Sequence, residues 1–291
     1  MRELAASDAK SLSQPARPGD DRSVNRRLLV CVPVFGQIEY THALIGDLDR
    51  EDVDFVIIDN RGDYRPLGGE RVVTPGTNLG QAGGSNLGFR TAFSEGYQNA
   101  MTLNNDTRLS PGYFDGLLDP RLPDDAGAVC AVYDDRGAHP ALLSEHTGDA
   151  ADYAPRDVYR DLKVVDGTGL LLTREAFIRI GELDERSFGR FAWGADLDLC
   201  IRLRAVGMSV VATERSFLNH FGRKTVSAEI GRSRYGFRGL VGMSRGLTRV
   251  HGRGWTHQTN TTSFERYDLD THELLGTDTP RRLLEVTKPA A

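Results

Sequence analysis

The chain has 291 residues, of which 39% are hydrophobic and 26% are charged, a balance typical of a globular protein with a sizeable core. Its net charge of −5 excludes a general electrostatic attraction to nucleic acids or acidic membranes. No run of about 18 apolar residues is present, so no transmembrane helix is expected. The three cysteines are widely spaced in apolar segments, which favours reduced, buried thiols in a cytoplasm over a disulfide framework.

The first half of the chain alternates predicted strands and helices. Residues 1–26 are polar, lack the apolar centre of a signal peptide, and are predicted to form a flexible tail. Buried strands are predicted at 28–35 and 54–58, joined by an amphipathic helix near 39–49. A short strand, a glycine-rich loop, a helix and another short strand follow at 72–74, 78–84, 85–98 and 101–103. This alternation predicts a right-handed parallel βαβ arrangement.

The second half has a less regular pattern. A further buried strand is predicted at 126–133, and the polar interval 134–161 is predicted to be mostly loop. The next predicted elements are a strand ending at Leu172, a helix beginning near Thr173, a helix at 196–205, a strand at 208–212 and an Arg- and Gly-rich helix at 230–250. A polar tail without a clear pattern follows. The alternation places the chain in the α/β class, whose ligands bind at the carboxyl ends of strands.

Polar residues follow two predicted strands at that edge. Asp59 and Arg61 come after the second strand and could hydrogen-bond the base or ribose of a ligand, although a polar turn is a fair competitor. Asn104, Asn105 and Asp106 follow the 101–103 strand. A carboxylate beside amide oxygens suits a hard cation such as Mg²⁺ or Mn²⁺. Asn and Asp before Ser-Pro-Gly are also strong turn formers, and the triplet alone favours the turn.

The segment 78–88, with the sequence NLGQAGGSNLG, holds four glycines and two asparagines. Glycines allow a close approach of backbone amides to a phosphate, and the helix that follows adds the positive end of its dipole. The segment is not a P-loop, since no Gly-Lys-Ser/Thr follows, and its spacing does not match the dinucleotide fingerprint. A flexible turn before a helix explains these residues equally well.

Two carboxylates, Asp196 and Asp198, stand at the start of a predicted helix, and His220 follows about a strand's length later. Aspartates at this position often cap a helix, Trp193 could belong to the core, and the basic residues after His220 could form a solvated turn. In the functional interpretation, Asp196 is a general base and Trp193 lines an acceptor pocket. His220 then binds a cation and Arg223 holds a phosphate.

The order of these motifs over residues 28–225 resembles the family 2 glycosyltransferases of the GT-A fold, especially the rhamnosyl- and galactofuranosyl-transferase-like branch. The matching positions are 32–35, Asp59, Asn78, Gly80, Asn86, Gly88, Asn104, Asn105, Asp106, 169–175, 181–185, 195–202 and His220. The sequence departs from the family pattern at two positions. Asn104 stands where the metal motif has Asp, and Ala195 stands where the family has Glu, which leaves Asp196 as the carboxylate there.

The resemblance implies a fold and a division of the chain. The fold is α/β of the GT-A type, with a single Rossmann-like, mainly parallel sheet flanked by helices and a helical C-terminal extension. The tail at 1–26 precedes a catalytic domain at 27–225, whose nucleotide-sugar half covers about 27–110 and whose acceptor half covers about 111–225. The C-terminal helical extension and tail cover 226–291.

The resemblance also implies an activity, namely inverting transfer of a sugar from a nucleotide-diphospho-sugar donor to an acceptor hydroxyl. Asp196 is the implied base, and Asp106 and His220 are the implied ligands of Mn²⁺ or Mg²⁺. The implied donor-binding residues are Pro33, Val34, Phe35, Asp59, Arg61, Asn78, Gly80, Gly84, Asn86, Asn104 and Asn105. The implied acceptor-binding residues are Trp193, Gly194, Asp198 and Arg223.

Several alternatives remain open at the level of sequence. The acceptor could be a small molecule, a saccharide or a lipid-linked glycan. With a lipid-linked acceptor, the protein would be peripheral to a membrane. The C-terminal segment could form a homodimer interface. Asn104 and Ala195 are compatible with a catalytically impaired relative that binds a nucleotide sugar. A sugar-1-phosphate nucleotidylyltransferase is less favoured, because Val34-Phe35-Gly36-Gln37 replaces the basic glycine-rich loop that such enzymes need after the first strand.

Overall fold

A computed structural model describes residues 27–188, 192–221 and 232–287, with the side chains of 232–236 left outside the description. The strands are β1 Leu28–Val34, β2 Asp54–Asp59, β3 Val72–Val73, β4 Asn99–Leu103, β5 Thr107–Leu109, β6 Ala126–Tyr133, β7 Val158–Asp161, β8 Gly169–Thr173, β9 Ser209–His220, β10 Phe264–Asp268 and β11 Leu274–Asp278. The helices are α1 Ile38–Arg50, α2 Gly80–Ser94, α3 Tyr113–Leu117, α4 Arg174–Ile180, α5 Ala195–Ala205, α6 Arg232–His251, α7 Trp255–Thr259 and α8 Pro280–Val286.

These strands form one sheet that runs through the molecule. Its order is β11-β10-β7-β9-β6-β8-β4-β1-β2-β3, and β5 pairs with β9 beside this path. The strands β3, β2, β1 and β4 are parallel neighbours, as are β6 and β9, and the remaining pairs are antiparallel. The predicted α/β class, with a single sheet flanked by helices, is confirmed.

The parallel half of the sheet follows from the apolar runs in the sequence. All seven residues of β1 are buried, because β2 and β4 flank the strand and helices cover it. Helix α1 turns Leu44, Ile45 and Leu48 toward the core, as its amphipathic pattern predicts. Helix α4 begins directly after Thr173, whose hydroxyl accepts a hydrogen bond from the Ala176 N–H at 3.2 Å.

The glycine-rich segment differs from the prediction. The sequence predicts a loop over 78–84, but α2 begins at Gly80 and contains these glycines. A Cβ at Gly88 would lie 2.3 Å from the Cys31 Sγ, and one at Gly84 would lie 3.2 Å from the Pro33 Cβ. The glycines therefore allow the helix to lie directly on β1, and this close packing outweighs their low helix propensity.

The C-terminal half contains strands that the sequence pattern does not reveal. Strand β9 continues beyond 212 to His220, and β10 and β11 form a hairpin that joins the sheet through β7. Glu214 lies within β9 and is only 2% exposed. Its carboxylate accepts hydrogen bonds from Arg160 of β7 at 2.8 Å and from Arg266 of β10 at 3.1 Å. Mutual neutralisation thus allows charged residues to occupy buried strand positions.

The three cysteines, Cys31, Cys130 and Cys200, are free and at most 2% exposed. Burial raises the pKa of each thiol, that of Cys200 to about 12. All three are therefore neutral, unreactive core residues. Within the described ranges, no helix combines the length and apolar character needed to cross a bilayer.

Candidate active site

The candidate site lies where β1, β2 and β4 end. Because these strands are parallel, the residues that follow them meet at one edge of the sheet. Pro33 and Val34 are buried within this end of β1. Phe35 follows, and the Arg61 guanidinium lies 5.6 Å from the centre of its ring. The predicted donor-binding residues of the first two strands are therefore brought together.

Asp59 lies at this edge, but its carboxylate is occupied by the adjoining turn. It is 3% exposed. One oxygen accepts hydrogen bonds from the N–H groups of Arg61 and Gly62 at 3.1 and 2.8 Å, and the other accepts the Tyr64 N–H at 3.0 Å. Asp59 thus fixes the course of the turn that carries Arg61.

The asparagines around α2 have different roles. The Asn78 side-chain oxygen accepts the Gly80 N–H at 2.8 Å, next to the start of the helix. Asn86 is fully buried, and its amide bonds to both backbone polar groups of Leu183 and to the Glu185 carboxylate. The Asn86 side chain therefore faces the protein interior and ties α2 to the 181–185 segment, and its donor contact stays a prediction.

The triplet after β4 forms the turn into β5. Asn104 accepts a hydrogen bond from the Gln81 side chain at 3.1 Å, and its backbone N–H donates to the Thr168 carbonyl at 2.9 Å. The Asn105 amide donates to the Thr41 hydroxyl at 2.9 Å. The triplet thus forms a turn, and this turn brings Asp106 beside β9.

Asp106 and His220 meet because β5 pairs with β9. Thr107 lies opposite His220 in the ladder, and the His220 Nε2 lies 3.5 Å from the Asp106 Oδ1. On the other side, the His220 Nδ1 lies 2.9 Å from the Asp135 Oδ2. Burial lowers the pKa of His220, but its bonds with Asp106 and Asp135 outweigh burial and raise the pKa to about 10.

The chemistry of this pair fits a divalent cation. Ligand atoms about 2.1 Å from an octahedral Mg²⁺ lie about 3 Å apart, close to the separation of Asp106 and His220. Asp135 orients the imidazole as a carboxylate commonly orients a metal-binding histidine. Cation binding would release the proton held by His220. No group of three or more His, Cys, Asp or Glu in the described parts could hold a metal.

Asp196 lies at the N-terminus of α5, after Gly194 with a φ of +93°. Its carboxylate accepts the Leu197 N–H at 2.9 Å and the Gly167 N–H at 3.0 Å. Burial and the negative charge of Asp166 raise the pKa of Asp196 to about 6. Asp196 is therefore a stronger base than an ordinary aspartate, yet it is ionised at neutral pH.

Two neighbouring carboxylates, Asp135 and Asp166, were absent from the sequence prediction. Asp135 is the second residue after β6, and Asp166 precedes β8, which pairs with β6. The Asp166 carboxylate accepts hydrogen bonds from the Tyr133 hydroxyl at 2.7 Å and from the Thr168 N–H at 3.0 Å. In the sequence, each of these aspartates is marked only by its place beside an apolar run. That the two lie near the site depends on the order of the strands in the sheet.

The predicted acceptor-binding residues have different surroundings in the structure. Asp198 is 1% exposed, and its carboxylate bonds to His251 of α6 at 2.7 Å and to Arg202 at 2.9 Å. One oxygen thus joins α5 to α6 and the other is bonded within α5, while the acceptor contact of Asp198 stays a prediction. Trp193 and Gly194 pack closely against α6. Arg223 lies outside the described residues.

The α6 contact is unusually close because of its glycines. A Cβ at Gly239 would lie 2.5 Å from the Trp193 ring, and one at Gly194 would lie 2.7 Å from the Met243 Cγ. A Cβ at Gly246 would lie 2.5 Å from the Phe188 ring. The start of α5, which carries Asp196, is thus positioned by α6.

Two solved structures of glycosyltransferases are similar to this fold. A mannosyltransferase from Pyrobaculum calidifontis, in complex with GDP-Man and Mn²⁺, matches with a TM-score of 0.53 and 13% identity over 82% of this chain and 68% of that one. GalNAc-T7, with UDP, GalNAc and Mn²⁺, matches with a TM-score of 0.51 and 12% identity over 69% of this chain and 44% of that one. These similarities show that the protein has the GT-A fold.

Sequence comparison gives a closer relationship. No family model matches the chain. Uncharacterized proteins of Mycobacterium bovis and of two strains of Mycobacterium tuberculosis are 52% identical to it over 225 residues, which are 77% of this chain and 85% of each relative. At this identity and coverage, the chain belongs to the same family as these mycobacterial proteins.

Proposed function

We propose that the protein is an inverting glycosyltransferase that uses a nucleotide-diphospho-sugar donor and a divalent cation. The observation that carries the proposal is a pair of hydrogen bonds donated by backbone N–H groups, one to a backbone carbonyl and one to a carboxylate. Asn104 bonds to Thr168 at 2.9 Å, and Gly167 bonds to Asp196 at 3.0 Å. A turn suited to a cation-bound diphosphate is thereby linked to a basic carboxylate, which is the arrangement that sugar transfer requires.

In this proposal, the donor nucleotide binds at the edge of the sheet where β1 and β2 end. Phe35 offers a ring face and Arg61 a cation to the nucleotide. The GDP-Man, UDP and Mn²⁺ present in the two similar structures support a nucleotide sugar and a cation as ligands. Asp59 acts through the turn that it fixes.

Asp106 and His220 are the residues that would hold Mn²⁺ or Mg²⁺. A bound cation supplies positive charge that stabilises a diphosphate leaving group. Asp135 keeps the imidazole of His220 in a fixed orientation. Asn104, in place of a carboxylate, leaves this part of the site with one negative charge fewer than the Asp-x-Asp pattern.

Asp196 takes the proton of the acceptor hydroxyl in this scheme. As that proton moves to the carboxylate, the acceptor oxygen bonds to the anomeric carbon. The bond from this carbon to the diphosphate oxygen breaks, and its electron pair leaves with the nucleoside diphosphate. Attack and departure occur on opposite faces, so the configuration inverts. A pKa of about 6 gives Asp196 basicity for this step without keeping it protonated at pH 7.

The test separates binding from turnover. Thermal shift and calorimetry with nucleoside diphosphates, each with and without Mn²⁺, are expected to identify one nucleotide that stabilises the protein only with the metal. Release of nucleoside diphosphate from the matching nucleotide sugar is then measured with small-molecule, saccharide and lipid-linked acceptors. Asp196→Asn is expected to lower turnover by at least about 10²-fold while nucleotide affinity stays within twofold. Asp106→Asn is expected to remove the metal-dependent stabilisation.

The matched control is Asp124→Asn. Asp124 is exposed and precedes β6 at the end opposite Tyr133, so its loss should change neither binding nor turnover. Metal-dependent binding without nucleoside diphosphate release would favour the impaired, nucleotide-sugar-binding relative. Absence of binding by every nucleoside diphosphate would contradict the donor site.

A further inference from the structure

Asp166 has a defined geometry that the proposed mechanism leaves unused. Its Oδ2 accepts the Tyr133 hydroxyl at 2.7 Å, and its Oδ1 accepts the Thr168 N–H at 3.0 Å. The Tyr133 hydroxyl in turn accepts the His139 N–H at 2.6 Å. Both carboxylate oxygens of Asp166 are therefore held in place by hydrogen-bond donors.

The same short segment also holds Asp196. Gly167, the residue after Asp166, donates its N–H to the Asp196 Oδ2 at 3.0 Å. The Leu197 N–H fixes the other oxygen at 2.9 Å. The two carboxylates are therefore fixed relative to each other by the backbone of residues 166–168 and by the first turn of α5.

We propose that Asp166 and Asp196 work as a carboxylate pair, in which Asp166 strengthens Asp196 as the acceptor of a proton. Asp166 is a positioning residue in this pair, since it acts through Asp196 and through the course of the Gly167 backbone. The inference rests on the proposed function, because the proton is that of the acceptor hydroxyl.

Other titratable groups near the pair do not replace the charge of Asp166. Among the described residues, groups whose electrostatic interactions reach one or both carboxylates include Tyr113, Cys130, Tyr133, His139 and Cys200. Burial raises the pKa of the thiols and phenols, so they are neutral at pH 7. Burial also lowers the pKa of His139, which keeps its imidazole neutral. The charge of Asp166 therefore adds to the effect of burial in raising the pKa of Asp196.

The first measurement follows the titration of Asp196 directly and needs no substrate. Protein labelled with ¹³C at the aspartate carboxyl carbons is titrated by NMR, and the Asp196 signal is assigned by its loss in Asp196→Asn. The Asp196 pKa is expected to move from about 6 in the native protein toward the ordinary value of about 3.9 in Asp166→Asn. It should not reach that value because burial remains. Asp166→Glu, which keeps the charge, should retain most of the shift.

The second measurement is the pH profile of kcat/KM with the donor and acceptor found above. Its acid limb should move to lower pH in Asp166→Asn, with a several-fold lower plateau because the base is weaker. Asp124→Asn should leave both unchanged. If Asp166→Asn does not fold, Asp166→Ser is titrated in its place.

The outcomes separate the two proposals. An Asp196 titration that is unchanged in Asp166→Asn overturns the pair, even if turnover still depends on Asp196. A titration that moves as expected in a protein without turnover supports the electrostatic coupling and overturns the glycosyltransferase assignment. A loss of turnover in Asp166→Asn without any movement of the acid limb would indicate a structural role and also overturns the pair.

Discussion

Glu214→Gln tests whether the buried ion pairs of β9 hold the C-terminal hairpin to the sheet. Glu214 is 2% exposed and pairs with Arg160, also 2% exposed, at 2.8 Å. Arg266 of β10 lies 3.1 Å from its other oxygen. The amide keeps the shape of the side chain but leaves the Arg160 charge buried without its partner. Breaking such a pair costs about 3–5 kcal/mol of the free energy of unfolding.

That cost is a large share of the stability of a protein of this kind, which is on the order of 5–15 kcal/mol. With a urea m value of about 3 kcal/mol/M, the unfolding midpoint of Glu214→Gln should fall by about 1–2 M. The melting temperature should fall on the order of 10 °C. Urea unfolding followed by circular dichroism measures both the midpoint and the slope.

The pH dependence of stability gives an independent check that the ionised Glu214 carboxylate stabilises the fold. Burial raises the pKa of Glu214, but the charges of Arg160 and Arg266 outweigh burial and lower the pKa below its ordinary value. This lowered pKa contributes stability above about pH 4.3, and that stability is lost as pH falls toward the folded-state pKa. Glu214→Gln lacks this contribution, so its stability should fall less steeply below pH 4.3 than that of the native protein.

The matched control is Glu145→Gln. Glu145 is 40% exposed and pairs with Arg282 at 2.6 Å on the surface, so its loss should cost less than about 1 kcal/mol. A midpoint for Glu214→Gln that equals that of Glu145→Gln would refute the reasoning. Replacing Glu214 and Arg160 together with Leu and Met should recover part of the loss, since the buried Arg160 charge is then removed together with its partner.

Two further predictions concern α2. Gly88→Ala should lower the free energy of unfolding by about 1–3 kcal/mol, because its Cβ would lie 2.3 Å from the Cys31 Sγ. The control is Gly46→Ala in α1, which has no atom within 4 Å of the added Cβ and should raise the free energy of unfolding by about 0.5–1 kcal/mol. Equal urea midpoints for the two variants would contradict this prediction. Asn86→Ala should cost about 2–4 kcal/mol, because both backbone polar groups of Leu183 lose their partner. Hydrogen exchange at the Leu183 amide should accelerate, and unchanged protection would argue against the link.

The elements predicted correctly are those whose signal is local. Strand β6 has the predicted bounds, 126–133, because seven of its eight residues are buried and apolar runs of this length mark strands covered on both faces. Helix α4 begins after Thr173 as predicted, since a side-chain cap needs only residues within the same turn. Local rules were sufficient for these elements.

The elements that were missed depend on distant partners. Glu214 belongs to a buried strand only because Arg160 and Arg266 neutralise it. Strand β11 exposes Leu274 and Leu275 at the edge of the sheet, so it lacks the alternation of a half-buried strand. The glycines of α2 resemble a loop in isolation and favour a helix only beside β1.

The same distinction applies to the site. Asp59 and Asp106 could be placed at one edge of the sheet because parallel neighbouring strands end there. The approach of Asp166 to Asp196 could not be predicted, because it requires the order of β6 and β8 in the sheet. The burial of Asp198 depends likewise on His251, more than one helix away in the chain.

The buried thiols make the protein convenient for spectroscopic labelling. Because all three native cysteines are enclosed and their pKa values are raised by burial, maleimide reagents should react slowly with the folded native protein. A cysteine introduced at Leu274, which is 55% exposed in β11, would be the fast-reacting thiol without removal of any native one. A fluorophore attached there would report when the hairpin separates from the sheet as the protein unfolds.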